Sequence, residues 1–162
     1  MSTIAEATEA DAEGIAAVFV PYATDSLVTF ETTPPTAAQW RAKIRESAWP
    51  FLVLADEGEL LGYALAAPWR PKPAYRFSVE TTIYLAPRAA GRGHGRRLLD
   101  ELLKRCEDAG ARQAIAVIVD SGNPASRALH HAAGFTDAGV LRRVGFKHDR
   151  WLDTLLVQRE LG

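Results

Sequence analysis

The sequence holds a single cysteine, Cys106, so it can close no internal disulfide, and a stapled secreted mini-domain is excluded. It has no excess of either charge: 19 Lys and Arg stand against 20 Asp and Glu, a formal net charge of -1 at pH 7. A global positive field for nucleic acid or an anionic membrane is therefore excluded. No apolar run approaches the ~18 residues of a membrane span. The stretch Met1 to Gly14 carries neither a basic nor an apolar signal segment, so no signal peptide is expected. Internal repeats, low-complexity tracts and Gly/Ser linkers are also missing. The expectation is a cytoplasmic protein with no nucleic-acid partner and no membrane partner. What the chain does have is 162 residues, 48% hydrophobic and 24% charged, which fits one globular domain over 1–162. A chain of this length buries roughly 70% of its unfolded surface, enough for a core without staples.

A helix is predicted from about Asp11. Thr8 and Asp11 are spaced as a capping box, and Ile15, Val18 and Phe19 recur at helical intervals. Pro21 is expected to kink or shorten it. Leu27, Val28 and Phe30 are too apolar for a free loop, so the stretch 26–35, closed by two prolines, is read as ordered. Thr36 caps a second helix ending near Ala48. Strands follow at Phe51–Ala55 and Leu60–Ala67, joined by a tight turn through Gly58. After a proline-rich loop around Pro71 and Pro73, a strand runs from about Arg76 to Leu85. A Gly-rich stretch opens a helix that Gly110 ends near Ala109. Ala114–Val119 is apolar throughout, as in a strand covered on both faces. Asn123 and Pro124 start a helix that Gly134 ends, with Ala125, Leu129, Ala132 and Ala133 on its packed side. Phe135–Arg143 and Trp151–Glu160 read as the last strands. The order α-α-β-β-β-α-β-α-β-β describes a mixed α/β sheet with helices on its faces.

The sharpest local signal is Ala90-Gly91-Arg92-Gly93-His94-Gly95-Arg96. Its glycines let the main chain turn tightly between a strand and a helix and approach a ligand closely. The free N–H groups and positive end of the helix suit a pyrophosphate, and Arg92 and Arg96 can add charge-assisted contacts. A turn without any ligand is the alternative from these residues alone. A Walker nucleotide loop fails, because Arg96-Arg97 stands where Lys-Ser/Thr is needed. A dinucleotide loop fails on glycine spacing and on its late place in the chain. One side of the preceding strand is polar: Arg76, Ser78, Glu80, Thr82 and Tyr84 alternate with Phe77, Val79, Thr81, Ile83 and Leu85. A central strand packed on both faces would be apolar on both, so this side points to a cleft.

The Gly-rich stretch resembles motif A of the GNAT N-acetyltransferases, whose Gln/Arg-x-x-Gly-x-Gly/Ala loop holds the pyrophosphate of coenzyme A. Ala90 departs from the usual Gln or Arg, which removes one contact and leaves the main-chain cradle. SLVTFETTPPT, GYALAAPWRPKPAYRFSVETTIYLAPR, NPASRALHHAAGF and VGFKHDRWLD narrow the resemblance to the phosphinothricin N-acetyltransferase subfamily, over nearly the whole chain. The resemblance implies a single-domain N-acetyltransferase fold with a mixed, mostly antiparallel sheet. It implies acetyl-CoA as co-substrate, no metal, a small-molecule amine as acceptor (the α-amino group of phosphinothricin, methionine sulfoximine or a related amino acid) and a homodimer.

Acetyl transfer to an amine needs a base for the ammonium, a donor to the thioester carbonyl and a proton for the departing thiolate. Glu80 is the candidate base. An ion pair with Arg76 is the bland alternative, and the resemblance favours the base. His130 shares a helix face with Ser126, four residues back. A lone helix histidine is usually structural or exposed. The resemblance makes it catalytic, as acid or as base, while His131 is expected in solvent. Asn123 is a helix cap that the resemblance also places against acetyl-CoA. Ile83, Tyr84 and Leu85 match the segment whose main chain pairs with the pantetheine arm. An amino-acid acceptor carries a carboxylate, so Arg70 and Arg76 are candidates to bind it, with solvated surface charge as the alternative. Phe30 and Tyr75 are candidates for the pocket wall or for ordinary packing. Lys147, His148 and Trp151 match a segment near the active site and dimer contact, with Trp151 read first as packing. Cys106 falls on the apolar stripe of the helix after the Gly-rich turn and is read as structural. Arg142 and Arg143 are read as a solvated basic pair. The rivals are acetylation of a protein N-terminus or polyamine, a non-catalytic acetyl-CoA sensor, and a nucleotide-binding protein.

Overall fold

In the computed structural model, which describes residues 1–162, the chain forms a mixed sheet with helices on both faces. The elements are β1 (Ser2–Glu6), α1 (Ala12–Asp25), α2 (Ala37–Glu46), β2 (Phe51–Asp56), β3 (Glu59–Pro68), β4 (Ser78–Leu85), α3 (His94–Asp108), β5 (Gln113–Val119), α4 (Ala125–Ala132), β6 (Thr136–Lys147) and β7 (Arg150–Glu160). The strands lie in the order β1-β2-β3-β4-β5-β7-β6. Every neighbouring pair is antiparallel except β4 with β5. The expected mixed, mostly antiparallel architecture is present.

Local chemistry places the helices as expected. The main-chain N–H of Thr8 donates to Asp11 at 2.8 Å, and a short 3-10 turn leads into α1. Thr36 accepts from the N–H of Gln39 at 3.1 Å while Gln39 accepts from the N–H of Thr36 at 2.8 Å, a closed capping box for α2. Helix α1 runs through Pro21 to Asp25, because one missing donor leaves the remaining bonds of the last turn to hold it.

The two faces of the sheet carry separate cores. Leu98, Leu99, Leu102, Leu103 and Cys106 of α3 pack against Leu52, Leu54, Val79, Ala114 and Ala116. On the other face, Ile15, Val18 and Phe19 of α1 and Trp40 of α2 cover Phe51, Val53, Tyr63 and Leu65. Cys106 is fully buried, and burial pushes its thiol up to about 12, so it stays an uncharged packing group as expected.

Four expectations are corrected. Strand β1 was not expected. It exists by pairing, Ser2 with Asp56 through Glu6 with Leu52, and its own five residues carry one large apolar side chain. Strand β5 is covered along its whole length on one face only: Ala114, Ala116 and Ile118 are buried there, whereas on the other side Val117 is 39% exposed and cover returns at Val119. The inward side of α4 is Ser126, Leu129, His130 and Ala133, with Ala125 and Ala132 in solvent. Strand β6 does not stop at Arg143. A bulge between Leu141 and Gly145 places Arg143 at a φ of 51°, with its N–H on Asp153 at 2.8 Å, and pairing resumes to Lys147. His148 and Asp149, at φ 51° and 58°, then make the two-residue hairpin turn.

Candidate active site

The site begins as a fork in the sheet. Strand β4 pairs with β3 along its length, yet with β5 only through Ser78, Val79 and Glu80. Beyond Glu80 the strands part and β5 continues along β7. The register shows which main chain faces the opening. Trp69 donates to Ser78 O at 3.2 Å and Ala86 donates to Leu61 O at 2.7 Å, so even-numbered residues of β4 turn towards β3. Alternation then turns Ile83 and Leu85 towards the opening. Tyr84, expected beside them as a main-chain partner, gives its main chain to β3 and only its side chain to the cleft. The phenol of Tyr22 donates to Leu85 O at 2.5 Å, tying α1 to this strand.

The fork floors a cleft of about 550 Å³, within the ordinary size of ligand sites. Glu80, Ile83, Tyr84, Leu85, Asn123, His130 and Phe30 all line it. Glu80 sits at the apex, the last residue before the strands part, opposite Ala67 of β3. It lies on the sheet face of Tyr63 and Leu65. Burial pushes its pKa above the ordinary carboxylate value, and the charges of Arg70 and Lys43 pull part of that shift back. No ion pair joins it to Arg76; that guanidinium stacks on Phe77 at 4.5 Å and donates to Pro73 O at 3.2 Å.

His130 is 3% exposed and packs edge-on against Phe135, ring centroids 5.0 Å apart. Its Nδ1 lies 2.7 Å from Ser126 O; a carbonyl only accepts, so Nδ1 carries the proton. Burial pulls its pKa below the ordinary histidine value, which leaves Nε2 with a free lone pair at neutral pH. His131 lies outside, its Nε2 2.6 Å from Asp137. Asn123 caps the turn into α4 through its Oδ1, which accepts from the N–H of Ala125 at 3.0 Å.

The Gly-rich turn closes the other end. Gly91 and Gly93 have φ of 78° and 79°, where any Cβ is strained, and Gly93 is the N-cap of α3. Gly95 lets α3 lie close to Leu85 and Leu129, at 3.4 and 3.5 Å from where a Cβ would stand. Ala90 lines the cleft, and Gly91, Arg92, Gly93, His94, Gly95 and Arg96 follow beyond its lining. Arg92 is exposed. The Nε of Arg96 donates to both carboxylate oxygens of Asp100, at 3.0 and 2.8 Å, so its head is held along the helix. His94 lies in the field of Asp56.

The end of the cleft expected to take the acceptor departs most from expectation. Phe30 lines the cleft with its ring against Gly145 of β6, where a Cβ would overlap it. Arg70, Tyr75 and Arg76 do not line the cleft. Arg70 stacks on Trp69 at 4.0 Å, Tyr75 is 43% exposed, and Arg70 reaches Glu80 by its field alone. Lys43, which sequence reasoning missed, is the one Lys or Arg in the lining, and Glu31 is the one carboxylate besides Glu80. The available signal for Lys43 was its place three residues after Trp40, on one helix face. Its ammonium lies 5.4 Å from the Trp40 ring centroid and in no ion pair. His148 is exposed in the hairpin turn, and Trp151, 65% exposed, packs at the surface against Phe146 with ring centroids 5.0 Å apart.

A fork with an open main-chain edge, a glycine cradle at a helix N-terminus and a buried carboxylate suits an elongated acyl carrier meeting a small amine. Comparisons with known proteins agree. A model described as the acetyltransferase (GNAT) family matches residues 16–135. A phosphinothricin N-acetyltransferase of Alcaligenes faecalis is 45% identical, over 99% of this chain and 83% of that protein. An L-methionine sulfoximine/L-methionine sulfone acetyltransferase of Pseudomonas aeruginosa is 35% identical, over 99% of this chain and 95% of that protein. The crystal structure of a phosphinothricin acetyltransferase from Sinorhizobium meliloti in complex with AcCoA matches with a TM-score of 0.93 and 42% identity, over 99% of this chain and 89% of that one. By its fold, its forked sheet and this match, the chain belongs to the acetyltransferase (GNAT) family.

Proposed function

We propose that this enzyme moves the acetyl group of acetyl-CoA to the α-amino group of a small amino acid analogue of the methionine sulfoximine, methionine sulfone or phosphinothricin kind. The observation that carries the reading is Glu80: a half-buried carboxylate with raised pKa at the apex of a fork whose far edge offers main-chain groups. The names of the relatives support the acceptor class.

Acetyl-CoA supplies an activated thioester and a thiolate leaving group. Gly91 and Gly93, with the first N–H groups of α3, cradle its pyrophosphate, and Asn123 stands at the cleft wall. Arg92 adds charge from solvent. Ile83 and Leu85 pair with the pantetheine arm, and one of their N–H groups donates to the thioester oxygen as negative charge gathers on it. Glu80 takes the first proton from the acceptor ammonium, directly or through water. Its raised pKa narrows the gap in proton affinity and makes it the better base. The freed nitrogen forms the new bond to the acetyl carbon as the carbon–sulfur bond breaks. His130, neutral with Nε2 open, accepts the second nitrogen proton and passes it to the thiolate, so it acts as base and then as acid. The products are the amide, free thiol and one released proton held at Glu80. Lys43, Phe30 and Glu31 line the acceptor end. Arg70 acts on Glu80 through its field, while Tyr75 and Arg76 stand outside the lining and carry no step.

The reading includes a homodimer, supported by the exposed apolar side chains Val140, Leu141, Val144, Phe146 and Trp151 on the β6–β7 hairpin. No helix is long and apolar enough to cross a membrane. A reducing cytoplasm suits the single free thiol, Cys106.

The test is thiol release from acetyl-CoA with methionine sulfone, methionine sulfoximine, phosphinothricin, ordinary amino acids, a polyamine and an Ala-headed peptide. Glu80→Gln and His130→Ala run beside the wild type. Saturable turnover on the analogues, strongly reduced in both variants, is the expected result. Turnover on the peptide or polyamine alone overturns the acceptor class. Acetyl-CoA binding without turnover on any amine moves the reading to a sensor.

A further inference from the structure

Lys147 is buried, 3% exposed, and has no carboxylate within ion-pair distance. It does not line the cleft. A buried ammonium is retained only when its donors are matched. The Nζ of Lys147 donates to Thr29 O at 2.8 Å and to Tyr22 O at 3.3 Å. Those carbonyls belong to different elements. Tyr22 lies in the last turn of α1, where a positive charge is favoured, and its carbonyl also accepts from the Ser26 hydroxyl at 2.9 Å. Thr29 lies in the 26–35 loop, directly before Phe30 and Glu31, which both line the cleft. Gly145, two residues before Lys147, receives the Phe30 ring at a distance that no side chain there would permit. The β6 end of the hairpin therefore grips one loop at two points: an ammonium on its main chain and a bare main chain under its ring.

We propose that Lys147 is a positioning residue for the acceptor half of the cleft, its buried ammonium strapping the 26–35 loop and the end of α1 to β6 so that Phe30 and Glu31 stand in the cleft wall. It rests on the proposed function in one respect only: the half of the cleft that those residues wall is taken as the acceptor half. The strap touches neither the Gly-rich turn nor the main chain of Ile83, and its one route to the acetyl-CoA side is Tyr22, whose phenol donates to Leu85 O from the far end of that side chain, so the larger effect falls on the acceptor. A lysine of merely structural value would instead weaken both substrates together.

The experiment compares steady-state kinetics of wild type, K147M and K147R, varying each substrate in turn with methionine sulfone as acceptor, after thermal melts confirm folding. K147M is expected to raise KM for the amine about tenfold, the scale of lost hydrogen bonds from a charged donor. KM for acetyl-CoA stays within about twofold and kcat at saturating amine within about threefold on the same reasoning. K147R, which keeps a cationic donor, recovers part of the amine KM. An amine KM unchanged in K147M, or both KM values rising together, overturns the strap. If K147M does not fold, K147R alone decides: a rise confined to the amine KM supports the strap, and no selective rise overturns it. If the wild type acetylates no amine, the proposed function falls separately. The strap is then read by amide hydrogen exchange over residues 26–35 with acetyl-CoA bound. Faster exchange in the folded Lys147 variant supports it, and unchanged exchange overturns it.

Discussion

At the Gly-rich end of the cleft the surface on offer is main chain: Gly91 and Gly93 in the left-handed region, the first turn of α3, and the open edge at Ile83 and Leu85. At the end proposed for the acceptor it is side chains, brought from the 26–35 loop, from α2 and from β4, and braced by β6 from outside the lining. The first end is set by backbone geometry and changes little with side-chain identity, provided the glycines stay. The second is set by which side chains meet and by how they are held. A recognition surface made of main chain suits an invariant carrier, while one made of side chains can be retuned for different amines. Glu80 stands where the two ends join.

The largest expected effect breaks the junction itself. Glu80→Gln removes the proposed base and is expected to lower kcat by about 10²–10³, the usual scale for a lost general base, with KM for acetyl-CoA unchanged. Next comes a break at the main-chain end alone. Gly93→Ala puts a Cβ at a φ of 79°, and at about 1–2 kcal/mol for that conformation KM for acetyl-CoA rises roughly tenfold. The amine KM stays put, and initial rates with each substrate varied show the split. The mirror-image change is Lys43→Met, which removes the one Lys or Arg lining the cleft. Because that ammonium is exposed, its amine KM rises only about three- to fivefold, and acetyl-CoA is unaffected. Smallest is Cys106→Ala: both KM values and kcat stay within about twofold, since a fully buried thiol touches neither end. A slow reaction of the wild-type thiol with a disulfide reagent checks its burial.

The same division explains what was legible beforehand. The Gly-rich turn, the capping box at Thr8, the helix cap at Thr36 and the polar side of β4 are local patterns, and each was readable in a few residues. That Glu80 and His130 would stand in a cleft was readable as well, from strand alternation and from helical spacing, each together with the resemblance. The acceptor wall was not. Arg70 and Arg76 looked right for a carboxylate, but each has an aromatic neighbour in sequence, Trp69 and Phe77, and stacks on it. Lys43 enters the cleft only because α2 packs with Trp40 inward. Strand β1 escaped because pairing with β2, and not its own composition, makes it a strand. The end of β6 escaped because the bulge at 142–144 interrupts the alternation that marks a strand.

The most direct test of the account is the pH dependence of kcat/KM for the amine, in wild type and in Glu80→Gln. As the proposed base Glu80 must be deprotonated, and its pKa lies above the ordinary 4.5. Activity is therefore full above that raised value and falls as pH drops through it. The account predicts an acid limb above pH 4.5 in the wild type, and in Glu80→Gln a rate about 10²–10³ lower with that limb gone or displaced. A Glu80→Gln enzyme that keeps the wild-type rate and the same acid limb would contradict it.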